Sequence, residues 1–199
     1  MTGGAAPDTT SRCWWPDGAG RADPLMVAYH DREWGRPVEE DRALFERLAL
    51  ESFQAGLSWV TILRKRETFR QAFMQFDPVT VAAFEEGDRA RLLGDAGIVR
   101  NRAKIDATIG NASALLAVAA EHGSFAAYLT HSLPRPAPVR TSGSNWADIP
   151  ATTTESDALS ADLRRRGFRF VGSTIVYSFM QSVGLVDDHL PGCFRYRGR

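Results

Sequence analysis

Apolar side chains recur at helical spacing from residue 41 to residue 130, and this periodicity restricts the fold more than any other feature. The segment "DRALFERLALESF" places them at positions i, i+1, i+4 and i+5, which form one face of a helix. "SWVTILRKRETFRQAF" has a second such face, preceded by Ser58 in a position suited to cap its first turn. Strand-like alternation is missing from this region. The sequence therefore predicts an all-α fold in a compact array of helices.

Helix-start signals divide the rest of this region. Asp77 followed by Pro78 has the form of an N-cap and a first helical residue, and Asp88 is placed to cap a short helix over "DRARLLG". The segment "VRNRAKIDATIGNASALLAVAA" is expected to form a long helix that ends near Gly123. These segments predict three helices in addition to the first two.

The composition changes over residues 132–153, where "LPRPAP" and "TSGSN" cannot sustain a helix, because proline removes a donor and fixes its own torsion. We interpret 132–153 as a surface loop. Helices resume where Thr154 and Asp157 have capping-box spacing, and "GSTIVYSFMQSVGLV" supplies a last apolar helix. We expect a flexible leader over residues 1–11 and a single domain over residues 12–199, in which two helical lobes are an option.

Bulk composition excludes several classes of protein. Hydrophobic residues make up 44% of the chain and charged residues 24%, which is ordinary globular usage. No apolar run approaches the roughly 20 residues that cross a bilayer, and no signal-peptide pattern is present, so we expect a cytoplasmic monomer without a membrane partner. The formal net charge is +0, so any nucleic-acid binding must come from local basic patches. By itself, the Arg164–Arg166 run is most simply a solvated helix face.

The two cysteines of the chain each have a histidine that could join them at a metal. His189 and Cys193 are one helical turn apart, and Cys13 with His30 could complete the Cys2His2 tetrahedron that zinc prefers. Four protein ligands would leave no position for water, so such a metal would be structural and would join the two ends of the domain. The alternative is two buried thiols and two ordinary histidines. Two cysteines also exclude a disulfide scaffold.

Large rings and one carboxylate form a second candidate site. The rings are bulky enough to be core residues, which is the simplest interpretation of any single one. Glu51 lies near the apolar face of its helix, where a carboxylate needs either a basic partner or a ligand. A ring-lined cavity with a carboxylate at its base suits a flat cationic heteroaromatic ligand, such as an alkylated nucleobase. The rings in question are Trp15, Tyr29, Trp34 and Trp59.

Several long segments, in the same order along the chain, resemble the 3-methyladenine DNA glycosylase I family. They are "RCWW", "DPLMVAYHDREWG", "LESFQAGLSW", "RKRETFRQAF", "FDPVTVAAF", "DAGIVRNRAKI", "TTTESDALSADLRRRGFRFVG" and "YSFMQSVGLVDDH". The resemblance extends from about Arg12 to Cys193. It implies a helix-hairpin-helix DNA glycosylase fold. It also implies hydrolysis of the N-glycosidic bond of 3-methyladenine in alkylated double-stranded DNA, with the free base as product.

The resemblance also implies roles for particular residues. One structural zinc ion per chain would be held by Cys13, His30, His189 and Cys193. The pocket would contain Glu51 as the catalytic residue that recognises the base, with Trp15, Tyr29, Trp34, Trp59 and Met26 binding the base. Met26 stands where this family often has a tyrosine, and Phe53 where a glutamine is usual. We therefore expect altered stacking and a retained pocket.

The segment "LLGDAGIVRNRAKI" resembles the hairpin of the wider superfamily. Gly97 would permit a tight turn, and the N–H groups that open the next helix could hold a DNA phosphate, with added charge from Arg100, Arg102 and Lys104. Without the resemblance, this segment is an ordinary glycine helix stop before a solvated basic face. Leu57, in the "QAGLSW" turn, is a candidate wedge for the base stack that a flipped nucleotide vacates.

The implied mechanism needs no strong acid, because methylation at N3 makes the purine cationic and a good leaving group. Glu51 would accept hydrogen bonds from the adenine edge. Relatives in the superfamily often use an aspartate after the hairpin, which this family lacks, so we assign no general base. Two alternatives remain open. One is a non-enzymatic helix-hairpin-helix module that binds DNA. The other is a glycosylase of altered alkyl-base specificity, which is suggested by Met26 and Phe53 because they differ from the residues usual in this family.

Overall fold

The computed structural model describes residues 11–13, 23–133 and 148–197, and the regular elements in these ranges are all helical. A 3-10 turn at Met74–Phe76 lies between the third and fourth helices. The prediction of an all-α fold is thereby confirmed for the described ranges. The α-helices are α1 (Pro24–Arg32), α2 (Asp41–Gln54), α3 (Trp59–Ala72), α4 (Pro78–Ala82), α5 (Glu86–Gly94), α6 (Arg102–His122), α7 (Phe125–Ser132), α8 (Thr154–Arg165) and α9 (Ser173–Ser182).

Some of the predicted features lie outside the described residues. They are Trp15, almost all of the leader over residues 1–11, and the 134–147 part of the surface loop.

An aspartate followed by proline begins two of the helices. The Asp77 carboxylate accepts a hydrogen bond of 2.9 Å from the backbone N–H of Thr80 at the start of α4, as predicted. The same pair of residue types begins α1, where Asp23 accepts from the N–H of Leu25 at 2.9 Å. Helix α1 lies outside the predicted helices, although the sequence carries the same start signal.

Two predicted caps are wrong in position. Asp88 does not stand before α5 but in its third position, where its carboxylate accepts from the backbone N–H of Glu85 at 3.2 Å. The capping box of α8 pairs Thr153 with Ser156, one residue before the predicted pair. Serine, like a longer acidic side chain, can accept from the N–H of the N-cap residue. The spacing rule alone therefore could not choose between the Thr153–Ser156 pair and the predicted Thr154–Asp157 pair.

Ser58 is at the N-cap position of α3, but its hydroxyl bonds the Thr61 hydroxyl at 2.7 Å and does not accept from a backbone N–H. The predicted end of the long helix is confirmed, because α6 ends at His122 and Gly123 has a φ of 88°. Glycine adopts this left-handed backbone without the steric cost that a side chain would add.

Helix α2 is central to the packing, since it contacts α3, α6, α7 and α9. Its C-terminal half carries Phe53, whose ring lies 4.7 Å from that of Phe69 and 5.8 Å from that of Phe73 between centroids. Phe53 is 0% exposed, and burying such a ring contributes roughly 1.5–3 kcal/mol. The expectation that Phe53 affects base specificity is therefore not supported by its position, which is in the core.

None of the described helices combines the length and the apolar character that crossing a bilayer requires.

Candidate active site and metal centre

A cavity of about 190 Å³ is lined by residues of α1, α2, α3 and α9 and by Trp34, which follows α1. This volume is below the range of roughly 300–1,000 Å³ that drug-sized ligands occupy, so the cavity suits a small ligand such as one flat ring system. The predicted pocket residues that the structure describes all line it. The lining residues are Met26, Tyr29, Trp34, Glu51, Gln54, Trp59, Ser178 and Gln181.

The wall of the cavity contains a pair of tilted rings. Tyr29 and Trp59 have centroids 5.3 Å apart and planes inclined by 53°. Burial raises the pKa of Tyr29, and the nearby charge of Glu51 raises it further, so its hydroxyl stays protonated at neutral pH. The phenol can therefore act as a donor toward the cavity or its surroundings.

Glu51 is 5% exposed on α2, and among the described residues no hydrogen bond or ion pair reaches its carboxylate. Burial raises the pKa of Glu51 to about 8, while the charge of Arg47 acts in the opposite direction. The sequence left two options for this residue, a basic partner or a pocket. The structure has it in the cavity lining without an ion pair.

A charge network lies behind the cavity wall and accounts for the neighbouring arginine. Arg47 Nη2 donates to Glu33 Oε2 at 2.6 Å, and Arg66 donates to both Glu33 oxygens at 2.6 and 3.0 Å. The Arg47 guanidinium also lies over the Tyr29 ring, 5.2 Å from its centroid. Glu33 therefore holds two guanidiniums, and one of them supports the back of a cavity ring.

A buried carboxylate fixes the orientation of the Gln181 amide. Asp188 Oδ2 accepts from the Tyr177 hydroxyl at 2.5 Å and from Gln181 Nε2 at 2.8 Å. An ionised carboxylate only accepts hydrogen bonds, so the amide must present its NH2 group to Asp188. The carbonyl end of Gln181 is then the end that remains for the cavity. Sequence reasoning missed this residue, since its partner is set by the tertiary fold.

A second cavity of about 180 Å³ shares Glu51, Gln54 and Ser178 with the first. It extends to the turn after α2 and to the first turn of α9, so it leads from the carboxylate toward the surface. Leu57 lines this second cavity and is 42% exposed, which is consistent with a side chain at the mouth.

Lys104 differs from the expectation of a charge that faces DNA. The residue is 7% exposed, and its Nζ donates to the carbonyls of Phe53 at 2.9 Å and Ala55 at 2.6 Å. These are carbonyls at the C-terminal end of α2 that lack partners within the helix. Lys104 therefore caps α2 and is not available to a phosphate.

The hairpin segment between α5 and α6 retains the other predicted residues. Arg100 is exposed, and the Arg102 side chain is 57% exposed with Glu86 at 3.6 Å. Gly97 is required for a close approach, because an added Cβ would lie 2.9 Å from Asp95 Oδ1 and 3.0 Å from Thr68 Cβ. Its backbone does not have a positive φ. Crowding is therefore the physical reason for glycine at this position, and its contact with DNA stays a prediction.

Four buried side chains converge at the junction of the two chain ends. The ligand atoms of Cys13, His30, His189 and Cys193 all lie within 4.8 Å of one another. Sulfur–nitrogen separations are 3.6 Å from Cys13 to His189, 3.4 Å from Cys193 to His30 and 3.6 Å from Cys193 to His189. Tetrahedral zinc with ordinary bond lengths requires about 3.5 Å between sulfur and nitrogen ligands. This cluster could hold a metal ion.

Neighbouring groups prepare the cluster for a cation. His30 Nδ1 is 2.8 Å from Asp31 Oδ1, which leaves Nε2 directed at the cluster. Hydrogen bonding from Cys13, and then from the two imidazoles, lowers the pKa of Cys193, so a thiolate is available. Gly35 has a φ of 72°, and an added Cβ would lie 2.8 Å from His189 Nε2. Sequence reasoning missed Gly35, because the requirement for glycine there depends on the position of the His189 ring in the folded chain.

Known proteins with similar sequences and structures indicate the family of this chain. The family profile described as Methyladenine glycosylase matches residues 19–196. The DNA-3-methyladenine glycosylase 1 of Escherichia coli (strain K12) is 50% identical over 187 residues, which cover 94% of this chain and 97% of that protein.

Two solved structures are also similar to the chain. A crystal structure of 3-methyladenine DNA glycosylase I has a TM-score of 0.86 at 49% identity and covers 93% of this chain and 99% of its own. A variant of 3-methyladenine DNA glycosylase I in complex with 3-methyladenine has a TM-score of 0.83 at 37% identity, covering 88% of this chain and 94% of its own. The chain therefore belongs to the methyladenine glycosylase family.

Proposed function

We propose that the protein is a monofunctional DNA N-glycosylase of base excision repair, which hydrolyses the N-glycosidic bond of 3-methyladenine in alkylated double-stranded DNA. The observation that carries this proposal is the buried Glu51 carboxylate, without an ion pair, in a ring-lined cavity of a methyladenine glycosylase family member. Burial without a partner is costly for a carboxylate, and a cationic ligand with hydrogen-bond donors removes that cost.

The polar groups of the cavity match the edge of adenine. Adenine presents an exocyclic amino group that donates, whereas guanine presents an O6 that accepts. The Glu51 carboxylate and the Gln181 carbonyl are both acceptors, so together they favour an amino group and disfavour a guanine O6. The tilted rings of Tyr29 and Trp59 would contact the faces of the base, with stronger attraction when the base is cationic.

The charge of the lesion would also control the state of Glu51. In the free protein, burial favours the protonated carboxyl. A cationic purine beside it would stabilise the carboxylate, so the binding of the lesion would be accompanied by release of a proton. An uncharged base would lack this stabilisation, and the site would select for alkylation as well as for shape.

Bond cleavage follows from the same electrostatics. The electron pair of the C1′–N9 bond would move onto the cationic purine, which leaves as neutral 3-methyladenine. Water would add to the deoxyribose carbon and lose a proton, and Glu51 would stabilise the positive charge that builds up on the sugar. No residue is assigned as the base that accepts the proton from water.

The surface around the cavity would hold the DNA. Leu57 would fill the stack after the damaged nucleotide is flipped, because apolar side chains commonly occupy such gaps. Arg100 and Arg102 would add charge where the N–H groups at the start of α6 meet a phosphate, next to the turn at Gly97. We do not include Lys104 in this role, because its Nζ donates to the carbonyls of Phe53 and Ala55.

The Cys13, His30, His189 and Cys193 cluster would hold one structural zinc ion per chain. Two thiolates and two imidazoles form a closed donor set of the kind that zinc takes in structural sites. Bound zinc would supply a link between the two ends of the domain and no chemistry at the base. A monomeric, cytoplasmic protein stays a prediction from the sequence.

A glycosylase of altered alkyl-base specificity is the second candidate, favoured by Met26 in the cavity wall. Both candidates are tested by incubating the protein with methylated double-stranded DNA and identifying the released bases by chromatography. We expect 3-methyladenine to be the main product. Release of another methylated base in its place would support the second candidate. DNA binding without release of any base would support the non-enzymatic module and contradict both.

A further inference from the structure

The loop between α8 and α9 displays an aromatic side chain at the surface in a strained backbone. Phe170 has a φ of 54°, in the left-handed region that bulky residues rarely adopt, and it is 37% exposed. Neither burial of the ring nor local backbone preference explains this conformation. Strained residues persist where the surrounding structure fixes them, and they cluster at binding and catalytic sites.

Three buried polar side chains fix the backbone on both sides of Phe170. The Ser52 hydroxyl donates to the Phe170 carbonyl at 2.9 Å. Asn111 accepts from the N–H of the preceding residue, Arg169, at 2.7 Å and donates to its carbonyl at 2.9 Å. The Ser160 hydroxyl donates to the carbonyl of the following residue at 2.7 Å. These side chains come from α2, α6 and α8, so the loop is held by three helices.

The loop lies beside the mouth of the candidate active site. Thr174, four residues after Phe170, lines the second cavity together with Leu57. Ser52 belongs to α2, which ends at Gln54 shortly before the turn that carries Leu57, and it anchors the loop directly. Phe170 is thus four residues before one lining residue of the second cavity, and its carbonyl is bonded to the helix that precedes the Leu57 turn.

The surface next to the loop carries an excess of positive charge. Arg169 donates from Nη2 to the Asp106 carbonyl at 2.9 Å and lines a polar concavity of about 560 Å³ with Arg89 and Arg102. The carboxylates of Glu86 and Asp106 also line it, so three guanidiniums face two carboxylates. Helix α6, which follows the hairpin, supplies part of this wall. The basic concavity thus connects the hairpin surface with the Phe170 loop.

We propose that Phe170 is a second DNA contact, whose ring stacks in the base stack opened beside the flipped nucleotide, opposite the side that Leu57 occupies. This inference rests on the proposed function and adds a residue to it. Base–aromatic stacking is a main source of affinity for unpaired bases, and arginine beside the ring adds attraction for the phosphates. A rigidly held ring loses little conformational freedom on binding.

Two substitutions separate a DNA contact from a structural role. Phe170→Gly removes the ring and relieves the left-handed strain, so we expect an unchanged or higher melting temperature together with weaker DNA binding. Phe170→Trp keeps a stacking ring and is expected to keep DNA affinity. Val79, which is 64% exposed on α4, provides a matched control as Val79→Ala, expected to behave as the unmodified protein.

The measurement is the dissociation constant for a duplex that contains a tetrahydrofuran abasic-site analogue, at fixed salt. Phe170→Gly is expected to weaken this binding by about tenfold, within the range of one lost stacking contact. Affinity for free 3-methyladenine, followed by tryptophan fluorescence, should stay the same. Duplex binding by Phe170→Gly within twofold of the unmodified protein would overturn the inference, as would an equal loss in Val79→Ala. Failure of the unmodified protein to release 3-methyladenine would instead refute the proposed function.

Discussion

Arg47 lies one helical turn before Glu51 on α2, yet its guanidinium pairs with Glu33 and not with Glu51. The cation closest along the helix is thus engaged behind the cavity wall, where it also lies over the ring of Tyr29. Arg66 binds the same Glu33 carboxylate and strengthens the arrangement. The consequence is a carboxylate that receives some positive potential without being neutralised by an ion pair.

Substitution of Glu51 by glutamine tests its proposed role. Glu51→Gln keeps the shape of the side chain and removes its charge, so we expect excision of 3-methyladenine to fall by at least about tenfold. The melting temperature should not decrease, because a buried carboxyl without an ion pair is replaced by a neutral group. The measurement is single-turnover base release. Full activity of this variant would remove Glu51 from the mechanism.

The raised pKa of Glu51 predicts a pH dependence of stability in the free protein. Its pKa is about 8 in the folded state against an ordinary value of 4.5. The carboxyl therefore favours the fold below about pH 4.5, and this contribution is lost as the pH rises to about 8. Urea unfolding should show the free energy of unfolding falling between pH 5 and pH 8.5 more steeply than in Glu51→Gln. The expected difference is on the order of a few kcal/mol. Parallel curves for the two proteins would contradict the prediction.

Replacement of Gln181 tests whether its carbonyl contributes to selection against guanine. Gln181→Met removes the acceptor at similar size, so release of 3-methyladenine should fall while release of 3-methylguanine falls less or rises. We expect the ratio of the two rates to decrease by about tenfold. Tyr177→Phe is the matched control. It removes the hydrogen bond from the Tyr177 hydroxyl to Asp188 and keeps the hydrogen bond from the Gln181 side-chain amide to Asp188. An unchanged ratio in Gln181→Met would show that Glu51 alone selects the base.

Removal of the proposed zinc ion is expected to destabilise the junction of the two chain ends. Protein purified without added metal should contain one zinc ion per chain, and Cys193→Ser should lose it together with stability. An idealised loop-entropy treatment of a link between distant segments gives about 4 kcal/mol. Elemental analysis and thermal unfolding with and without a chelator measure the two effects. Metal-free protein with reduced cysteines and an unchanged melting temperature would contradict the structural zinc site.

Lys104 and Arg100 are predicted to act on different properties, although both are basic residues of the hairpin region. Lys104→Met should lower the free energy of unfolding by roughly 1.5–3 kcal/mol, because it removes charged hydrogen bonds to two carbonyls of α2. Arg100→Ala should leave the free energy of unfolding unchanged. It should reduce the slope of log K for DNA binding against log salt concentration by about 1, the value for one lost phosphate contact. Titrations at several salt concentrations, with thermal unfolding of each variant, distinguish the two. The opposite assignment of effects would refute the structural role of Lys104.

Features of the fold could be predicted from the sequence where the interacting groups are close together along the chain. The Asp77–Pro78 start was predictable, because the cap and its N–H lie within one turn. The Thr153–Ser156 box was missed by one residue, since several hydroxyl and acidic side chains there offer the same spacing. Such local ambiguity shifts a boundary without changing the fold.

Residues whose role depends on distant partners were the ones misassigned or missed. Lys104 has the sequence context of a basic surface, and only the approach of the α2 C-terminus explains why it points inward. Gln181 takes its orientation from Asp188, a contact that no spacing rule predicts. By contrast, the sequence singled out Glu51 as a carboxylate on an apolar helix face, although it left open whether a basic partner or a pocket faces it.

The bond from Lys104 to the end of α2 has a mechanical consequence. Lys104 is in the first turn of α6, directly after the hairpin, and it holds the carbonyls that precede the Gly56–Leu57 turn. Under the proposed function, a displacement of the hairpin on bound DNA would therefore be transmitted to the turn that carries Leu57. Contact with the strand and insertion of Leu57 would then be coupled.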